Sequence, residues 1–306
     1  MPSRGESTAL RSGMATGFQG DTVTFDLWRL RFHFHAEESL FFPPGKAANV
    51  LRGAFGMMLR ETANAPDYAR IFEPKADSGV PSGPSGLADR PRPFVFRAAH
   101  LDGETIPAGS TFHFDMHLFD TKHPACEALQ QAYQRLAETG LGPGRGRTKL
   151  VSVGKEHISI PLDGPAESAP RVRVQFLTPT ELKSRDRQGA VRPEFPILIA
   201  RLRDRISTLR ALYGPGPLDI DFRAMGERAA AVRLSRCDLT WHSTERRSSR
   251  TGQTHPLGGF TGQAEYQAAY DGGLAEFLPY LRAGQWTGVG RQTVWGKGEI
   301  CFQLCS

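Results

Sequence analysis

A short segment near the C-terminus combines glycine with basic and aromatic side chains. Residues 288–298 read GVGRQTVWGKG. Glycine lets a backbone adopt positive φ angles and approach a ligand closely, Arg and Lys attract phosphates, and the Trp ring can stack on a base. This composition predicts a nucleic-acid-binding loop whose contacting members are Gly288, Gly290, Arg291, Trp295, Gly296, Lys297 and Gly298. The alternative is a glycine-rich turn that only allows two strands to pack closely.

The spacing of these glycines excludes two nucleotide-binding loops. A P-loop has four residues between its glycines and Ser or Thr after its Lys, whereas here five residues separate Gly290 from Gly296 and glycine follows the Lys. A dinucleotide-binding loop would have a third glycine at position 293 and a helix afterwards. The chain has Thr293 there, followed by a predicted strand over 299–304.

Five histidines on predicted strands are candidates to exchange protons near neutral pH. His33 and His35 are two residues apart, so they share one face of their strand, opposite two phenylalanines. His113 and His117 share the polar face of another strand, where we expect them to be exposed. His242 comes just before a basic segment. Composition alone does not choose among these histidines.

Arginines cluster in two further segments that could bind phosphates. The first is the glycine-rich stretch GPGRGR over 142–147, with Arg145 and Arg147. The second follows the last of these histidines and is equally consistent with an unstructured basic loop; it contains Arg246, Arg247 and Arg250.

Positive charge is concentrated in the second half of the chain. The formal net charge is +6 in 306 residues, yet residues 171–306 hold 20 Lys and Arg against 13 Asp and Glu, while residues 1–170 hold 18 against 19. Eighteen of those 20 basic residues are Arg, which binds phosphate through two parallel hydrogen bonds and stacks on bases. Because the surplus coincides with the glycine-rich loop, it favours an anionic partner over a solvated surface.

Other features of the sequence exclude several classes of protein. No apolar run reaches the ~18 residues that a membrane helix needs, so no membrane partner is expected. Four cysteines without a C-x-x-C pair indicate a reducing cytoplasm. We find no convincing metal-ligand cluster and expect neither a metal nor another cofactor. Residues 1–20 lack the apolar core of a signal peptide and are predicted to form a disordered leader.

Hydrophobic periodicity predicts the same order of elements twice. In the first half, strands are expected near 22–35, 93–99, 111–119 and 148–160, with helices over 46–62 and 124–139. In the second half, strands are expected near 171–177, 230–242, 258–267 and 299–304, with helices over 196–213 and 273–283. This strand–helix–strand–strand–helix–strand order is that of a ferredoxin-like fold. We therefore predict an α+β protein of tandem ferredoxin-like (RRM-like) domains, residues 21–165 and 166–306, the second carrying the glycine-rich loop.

Six segments carry a resemblance to a known family. They are LRGAFGMMLR (51–60), the stretch of FEP (72–74) and RPRPFVF (90–96), GLGPGRGR (140–147), FLTPTELK (176–183), LGGFTGQAEY (257–266) and GVGRQTVWGKGEI (288–300). Together they resemble the CRISPR pre-crRNA-processing endoribonucleases of the RAMP (repeat-associated mysterious protein) superfamily, over nearly the whole chain after residue 20. The resemblance implies tandem ferredoxin-like domains with a basic cleft between them. It also implies a metal-independent endoribonuclease that binds CRISPR repeat RNA and cleaves pre-crRNA into mature crRNA.

In the chemistry that the resemblance implies, a ribose 2′-hydroxyl attacks the adjacent phosphate and expels the 5′-oxygen of the next nucleotide. The substrate supplies the nucleophile, so the protein must orient it, stabilise charge and move protons. Family members often use a histidine near the first helix, whereas the predicted helix over 46–62 contains none. We therefore expect His35 to act as the proton shuttle, and Lys46 near it to stabilise charge on the phosphate together with Arg52. An active site at His242, against the second domain, is the alternative.

Two other functions stay open at this point. A RAMP subunit could hold crRNA in an effector complex without cutting it, since the usual histidine is missing. A generic single-stranded RNA-binding protein is disfavoured because the chain has no clear RNP1-like segment. The expected partners are CRISPR repeat RNA or crRNA, with other CRISPR effector subunits as candidates, and no DNA.

Overall fold

A computed structural model describes most of the chain between residues 22 and 305. The described ranges are 22–74, 90–163, 169–182, 192–243, 245–247, 254–256, 258–270 and 272–305, and for 245–247 and 254–256 they include the backbone alone. The predicted leader (residues 1–20), Arg250 and the predicted domain boundary between residues 165 and 166 lie outside these ranges.

The first half of the chain forms a four-stranded antiparallel sheet with helices on one face. Its elements are β1 (Thr24–Ala36), β2 (Leu40–Phe41), α1 (Ala47–Thr62), α2 (Ala65–Phe72), β3 (Phe94–Arg97), β4 (Thr105–Ile106), β5 (Thr111–Leu118), α3 (Cys126–Thr139) and β6 (Thr148–Pro161). The sheet has the order β3–β5–β1–β6. Along β1, Phe32 and Phe34 are buried in the core that α1 and α3 complete, whereas Arg31 and His33 point to the opposite face.

The second half forms a second four-stranded antiparallel sheet. Its elements are β7 (Arg171–Thr180), α4 (Phe195–Tyr213), α5 (Phe222–Ala230), β8 (Arg233–His242), β9 (Glu245–Arg247), β10 (Thr254–Pro256), β11 (Gly259–Gln267), α6 (Leu278–Thr287) and β12 (Ile300–Cys305). The sheet has the order β12–β7–β11–β8, and β9 pairs with β10 as a separate hairpin. The glycine-rich loop connects α6 to β12.

Both sheets have the strand order of a ferredoxin-like fold. If the four sheet strands of each half are numbered 1 to 4 in chain order, the sheet of the second half has the spatial order 4-1-3-2. The sheet of the first half has the same order when it is read from its other edge. This order results when the two helices of a strand–helix–strand–strand–helix–strand unit cross over one face of the sheet. The predicted α+β class with tandem ferredoxin-like domains is therefore confirmed, while the residue bounds of the two domains stay predictions.

A shared hydrophobic core joins the two halves. Phe25, Leu27 and Val95 of the first half are buried in the same cluster as Leu202 of α4 and Leu281 of α6. Burying apolar side chains from both halves in one cluster disfavours their relative movement. Side chains that the two halves present near this junction are therefore held in a fixed arrangement.

Two helices, α2 and α5, are absent from the sequence prediction. Asn64 precedes α2 and accepts a hydrogen bond from the backbone N–H of Asp67 at 2.9 Å. Asp221 precedes α5 and accepts from the backbone N–H of Arg223 at 2.9 Å. Helices of two turns have too few residues for a clear apolar periodicity, although both capping residues are favourable N-caps.

Two further boundaries differ from the prediction. Because α5 extends to Ala230, the strand expected from residue 230 begins only at Arg233. The helix expected over 273–283 begins at Leu278 and runs to Thr287, after a single 3₁₀ turn. Within the described ranges, no helix has the length and apolar character required to cross a membrane.

Candidate nucleic-acid interface

The glycine-rich loop is closed by backbone hydrogen bonds at its two ends. α6 ends at Thr287, and Gly288 directly after it has a φ of 69°. The N–H of Val289 donates to the carbonyl of Gly298 at 2.8 Å, and the N–H of Gly298 donates to the carbonyl of Pro179 at 3.2 Å. The N–H of Arg291 donates to the carbonyl of Glu181 at 3.1 Å. The loop is therefore fastened to the end of β7 as well as to itself.

Close packing explains why glycine is needed in this loop. Gly290 has a φ of 84°, and a Cβ atom there would collide with the backbone carbonyl of Glu181. Gly296 has a φ of 77°, and a Cβ atom there would collide with the Cβ of Ala48 in the first turn of α1. These two glycines satisfy the protein's own packing, which is the alternative that the sequence left open. The charged side chains between and beside them carry the case for a nucleic-acid contact.

Contact between Gly296 and Ala48 brings the second half of the chain onto the first helix of the first half. Val294 of the loop packs against the buried cluster of the first half. The guanidinium of Arg52, one turn further along α1, lies 5.5 Å from the centre of the Trp295 ring and 4.9 Å from that of Phe72. Trp295 is partly buried with a protein cation over its ring, and its expected contact with RNA stays a prediction.

Lys46 and Lys297 are the lysines next to this contact along the chain, Lys46 two residues before Ala48 and Lys297 directly after Gly296. Lys46 is exposed and immediately precedes α1. The carboxylate of Asp102 accepts a hydrogen bond from the N–H of Ala47 at 2.7 Å, which satisfies one donor at the start of the helix. Lys297 follows Gly296 and is half-buried. Lys297 is therefore neither fully buried in the core nor fully exposed.

Lys297 has the most clearly shifted pKa of the loop residues. Burial lowers its pKa to about 8, and the negative charge of Glu181 acts in the opposite direction. Its ammonium can therefore lose a proton close to neutral pH. Arg291 makes an ion pair with the same carboxylate, with Nη1 2.8 Å from Oε1 of Glu181, and about half of the Arg291 side chain stays exposed.

The expected pairing of His35 with Lys46 is wrong. His35 lies between Phe34 and Ala36, both buried in the core that contains α1, so its side chain points to the opposite face of the first sheet. In the register of that sheet His35 lies between Thr111 of β5 and Lys149 of β6. The strand alternation that places two histidines on one face also directs them away from the helix that begins after Lys46.

The other expected histidine positions are only partly as predicted. His117 is not exposed: only 4% of it is accessible, and its ring packs 4.9 Å from that of Trp286. His113 is partly buried between the rings of His33 and His100, at centroid distances of 5.6 and 4.8 Å. His242 is exposed at the end of β8, with Nε2 2.7 Å from the hydroxyl of Thr261.

The remaining predicted phosphate ligands within the described ranges belong to other elements than the glycine-rich loop. Arg246 and Arg247 are on β9, where the backbone alone is described. Arg145 is exposed with a φ of 50°. Arg147 is exposed and makes an ion pair with Glu38, its Nε 3.2 Å from Oε1. Their expected RNA contacts stay predictions.

Sequence reasoning missed the carboxylates that hold this surface together. Asp102 caps α1 and Glu181 holds both the backbone and the side chain of Arg291. Neither stands in a recognisable motif, because each is brought to its partner by the tertiary fold. Across the described ranges, His, Cys, Asp and Glu form no group of three or more that could hold a metal ion.

The fold and the position of the loop define the structural class of the protein. It has two ferredoxin-like units, and its C-terminal glycine-rich loop packs on the first helix. Among solved structures, a Cas6 product complex shares this fold with a TM-score of 0.60 at 18% identity, covering 91% of this chain and 100% of that one. Thermus thermophilus Cas6 matches with a TM-score of 0.54 at 17% identity, covering 92% and 99%. A chain of a partial Cas6-RT-Cas1–Cas2 complex matches with a TM-score of 0.56 at 13% identity, covering 92% and 46%.

At identities this low, the solved structures support the fold alone. Family models provide a separate comparison at the level of sequence. Residues 174–300, which include the glycine-rich loop, match the model described as CRISPR-associated endoribonuclease Cas6. Residues 25–163 match a second model, described as an N-terminal domain. No curated protein sequence matches the chain. Residues 174–300 therefore belong to the Cas6 family of CRISPR-associated endoribonucleases.

Proposed function

We propose that this protein binds CRISPR repeat RNA and cleaves pre-crRNA without a metal ion, giving mature crRNA. One observation carries the proposal. The glycine-rich loop, inside the segment that matches the Cas6 model, packs on the first turn of α1 through Gly296 and Ala48. Basic side chains from both halves of the chain consequently border one surface, which suits a polyanion.

The proposed reaction is an intramolecular transesterification of the RNA. The 2′-oxygen forms a bond to the adjacent phosphorus as the bond from phosphorus to the 5′-oxygen breaks. The 2′-hydroxyl proton goes to solvent, and the departing 5′-oxygen receives a proton. The products are a 2′,3′-cyclic phosphate and a 5′-hydroxyl, and no water is consumed.

Lys297 is the residue that we propose as the proton donor to the 5′-oxygen. It lies beside the contact between the loop and α1, and burial lowers its pKa to about 8. A general acid works best when its pKa is near the working pH, because a large fraction of it is then protonated and it still releases its proton readily. This role replaces the one expected for His35, which faces away from α1.

Lys46, Arg52 and Arg291 are proposed to stabilise negative charge on the phosphate. Lys46 is exposed beside the capped N-terminus of α1, and Arg52 is held between two aromatic rings. A cation that is held in place before the reaction needs little reorganisation when charge develops on the phosphate. Arg291 would exchange part of its interaction with Glu181 for the phosphate.

A second candidate function is a RAMP subunit that binds crRNA without cutting it. The observation that favours it is the sequence of α1, which contains no histidine. For either function, other CRISPR subunits are candidate partners, and the match to a chain of a Cas6-RT-Cas1–Cas2 complex supports that choice. We place the protein in the cytoplasm, as its four free cysteines suggest.

Cleavage of a cognate repeat RNA in EDTA tests the proposal. The account predicts a single cut in EDTA, and binding without cleavage when the 2′-hydroxyl at the cut site is replaced by hydrogen. Cleavage of the deoxy RNA would contradict the intramolecular attack, and a requirement for added Mg²⁺ would contradict metal independence. Selective binding without cleavage would support the crRNA-binding subunit, and equal binding of unrelated RNA would indicate a generic RNA-binding protein.

A further inference from the structure

Three side chains hold the C-terminal end of α6, and we call Arg97, His117 and Arg205 the α6 clamp. They meet three successive backbone carbonyls, those of residues 285–287. Nη2 of Arg97 donates to the first two at 3.1 and 3.0 Å. Nδ1 of His117 lies 2.9 Å from the second, and Nε of Arg205 donates to the third at 3.1 Å.

The clamp draws its members from both halves of the chain. Arg97 is on β3 and His117 on β5 of the first sheet, whereas Arg205 is on α4 of the second half. Arg97 and His117 are 7% and 4% exposed. The last carbonyls of a helix have no partner inside the helix and carry a partial negative charge, so donors and cations there are stabilising.

Two members of the clamp, His117 and Arg205, keep the same protonation state around neutral pH. Burial lowers the pKa of His117 to about 3, so its ring is neutral. Because a carbonyl oxygen only accepts, the ring proton is on Nδ1 and His117 donates. Burial lowers the pKa of Arg205 to about 9, with the charge of Arg97 acting in the same direction, and the group still carries its proton at pH 7.

The clamp lies where α6 passes into the glycine-rich loop. Gly288 directly follows the last clamped carbonyl, and a Cβ atom at Gly288 would stand 3.5 Å from Nη2 of Arg97. The preceding residue of β3, Phe96, has its carbonyl oxygen 3.9 Å from the position of a Cβ at Gly296. Two adjacent residues of β3 therefore lie close to both ends of the loop, Arg97 at Gly288 and Phe96 at Gly296.

We infer that the α6 clamp, with Arg97 at its centre, fixes the glycine-rich loop against α1 and thereby sets the rate of RNA cleavage rather than the affinity for RNA. The effect on cleavage rests on the proposed function. The three residues are positioning residues because each bonds to the backbone at the end of α6, and Arg97 and His117 are buried. Holding the loop from one half on the helix of the other keeps Lys297 and Lys46 at a constant separation.

Hydrogen exchange of the RNA-free protein tests the clamp independently of any activity. Arg97→Met keeps the aliphatic stem of the side chain and removes its donors. We expect the amides of Val289 and Arg291, which close the loop, to exchange about tenfold faster, while amides in the centres of the two sheets are unchanged. Arg228→Met is the matched control because Arg228 pairs with Glu276 on the surface, its Nε 2.7 Å from Oε1.

Single-turnover cleavage then measures the consequence for the reaction. At saturating protein, Arg97→Met should cut repeat RNA about 10²-fold more slowly, as expected for a small misplacement of reacting groups, with an unchanged dissociation constant. Arg97→Lys should recover most of the rate, because one nitrogen of Arg97 serves both carbonyls.

Each outcome decides the inference. Faster exchange confined to the loop, together with a slower reaction that Arg97→Lys restores, supports it. Unchanged exchange in the loop, or exchange that rises equally in the sheets, overturns it. If the wild-type protein cuts no RNA, the proposed function fails, and the exchange measurement still decides whether the clamp holds the loop.

Discussion

Two basic glycine-rich loops occupy equivalent positions in the two halves of the molecule. Residues 140–147 connect α3 to β6 and residues 288–298 connect α6 to β12, so each lies between the last helix and the last strand of its ferredoxin-like unit. Both contain two basic residues and residues with positive φ. Local sequence therefore makes the two loops look alike.

Their tertiary contacts are different. The first loop packs on its own half, where a Cβ at Gly146 would meet Leu40 and where Arg147 pairs with Glu38 on the surface. The second loop reaches the other half through Gly296 and Ala48. Its cations can therefore combine with those of a helix from the other half. We expect the first loop to contribute to binding and the second to contribute to cleavage.

Removing the amine of Lys297 should have the largest effect on the reaction. Loss of a general acid typically costs ~10²–10⁴-fold in rate, so Lys297→Ala should fall in that range in single-turnover assays at saturating protein. Lys149→Ala, an exposed lysine on β6, is the control and should keep the wild-type rate. A wild-type rate for Lys297→Ala would contradict the assignment of Lys297 as the proton donor.

The pH profile sharpens the same prediction. Lys297 is protonated below its pKa of about 8, so the wild-type rate should fall as pH rises through about 8. Glu181→Gln removes the charge that raises this pKa, so the fall should move to lower pH. Lys297→Arg keeps a positive charge throughout and should bind RNA while losing the fall near pH 8. A profile that is identical in all three proteins would contradict the assignment.

A methyl group added to each loop compares the two directly. Gly296→Ala places a Cβ against Ala48 at a φ of 77°, whereas an added Cβ at Gly144 has no atom within 4 Å. We expect Gly296→Ala to slow cleavage by about 10²-fold through misplacement of Lys297, and Gly144→Ala to leave the rate unchanged. Equal rates for the two variants, measured alongside their melting temperatures, would show that the contact with α1 is irrelevant to cleavage.

The smallest effect is expected from the arginines of the first loop. The double variant Arg145→Ala, Arg147→Ala should reduce the slope of log affinity against log salt by about one unit for each phosphate that the protein no longer binds. Its single-turnover rate at saturation should equal that of the wild type. A reduced rate at saturation would show that the first loop also contributes to cleavage, which would contradict the proposed difference between the two loops.

Much of the fold can be predicted because its signals are local. The alternation of β1 and the apolar periodicity of α1 result from burial on one face of each element, and both are visible in a few consecutive residues. The sequence pattern does not reveal α2 because two turns give no clear periodicity, although Asn64 caps it. Local patterns of this kind also identify the glycine-rich loop.

The candidate site is less predictable because its contacts join distant parts of the chain. The strand pattern predicts an exposed His117, but its partner Trp286 lies 169 residues further on. His35 and Lys46 are close in sequence, and the sheet nevertheless directs their side chains apart. The lowered pKa of Lys297 depends on burial that only the packed loop creates.

Crosslinking from the cut site tests most directly whether the glycine-rich loop on α1 is the cleaving surface. A repeat RNA with deoxyribose at the cut site and a photoreactive base beside it would be irradiated in the complex, and the attached peptides identified by mass spectrometry. The account predicts crosslinks to residues 288–298 and to the first turns of α1. Crosslinks confined to residues 140–147, or to the strand end that carries His242, would contradict it.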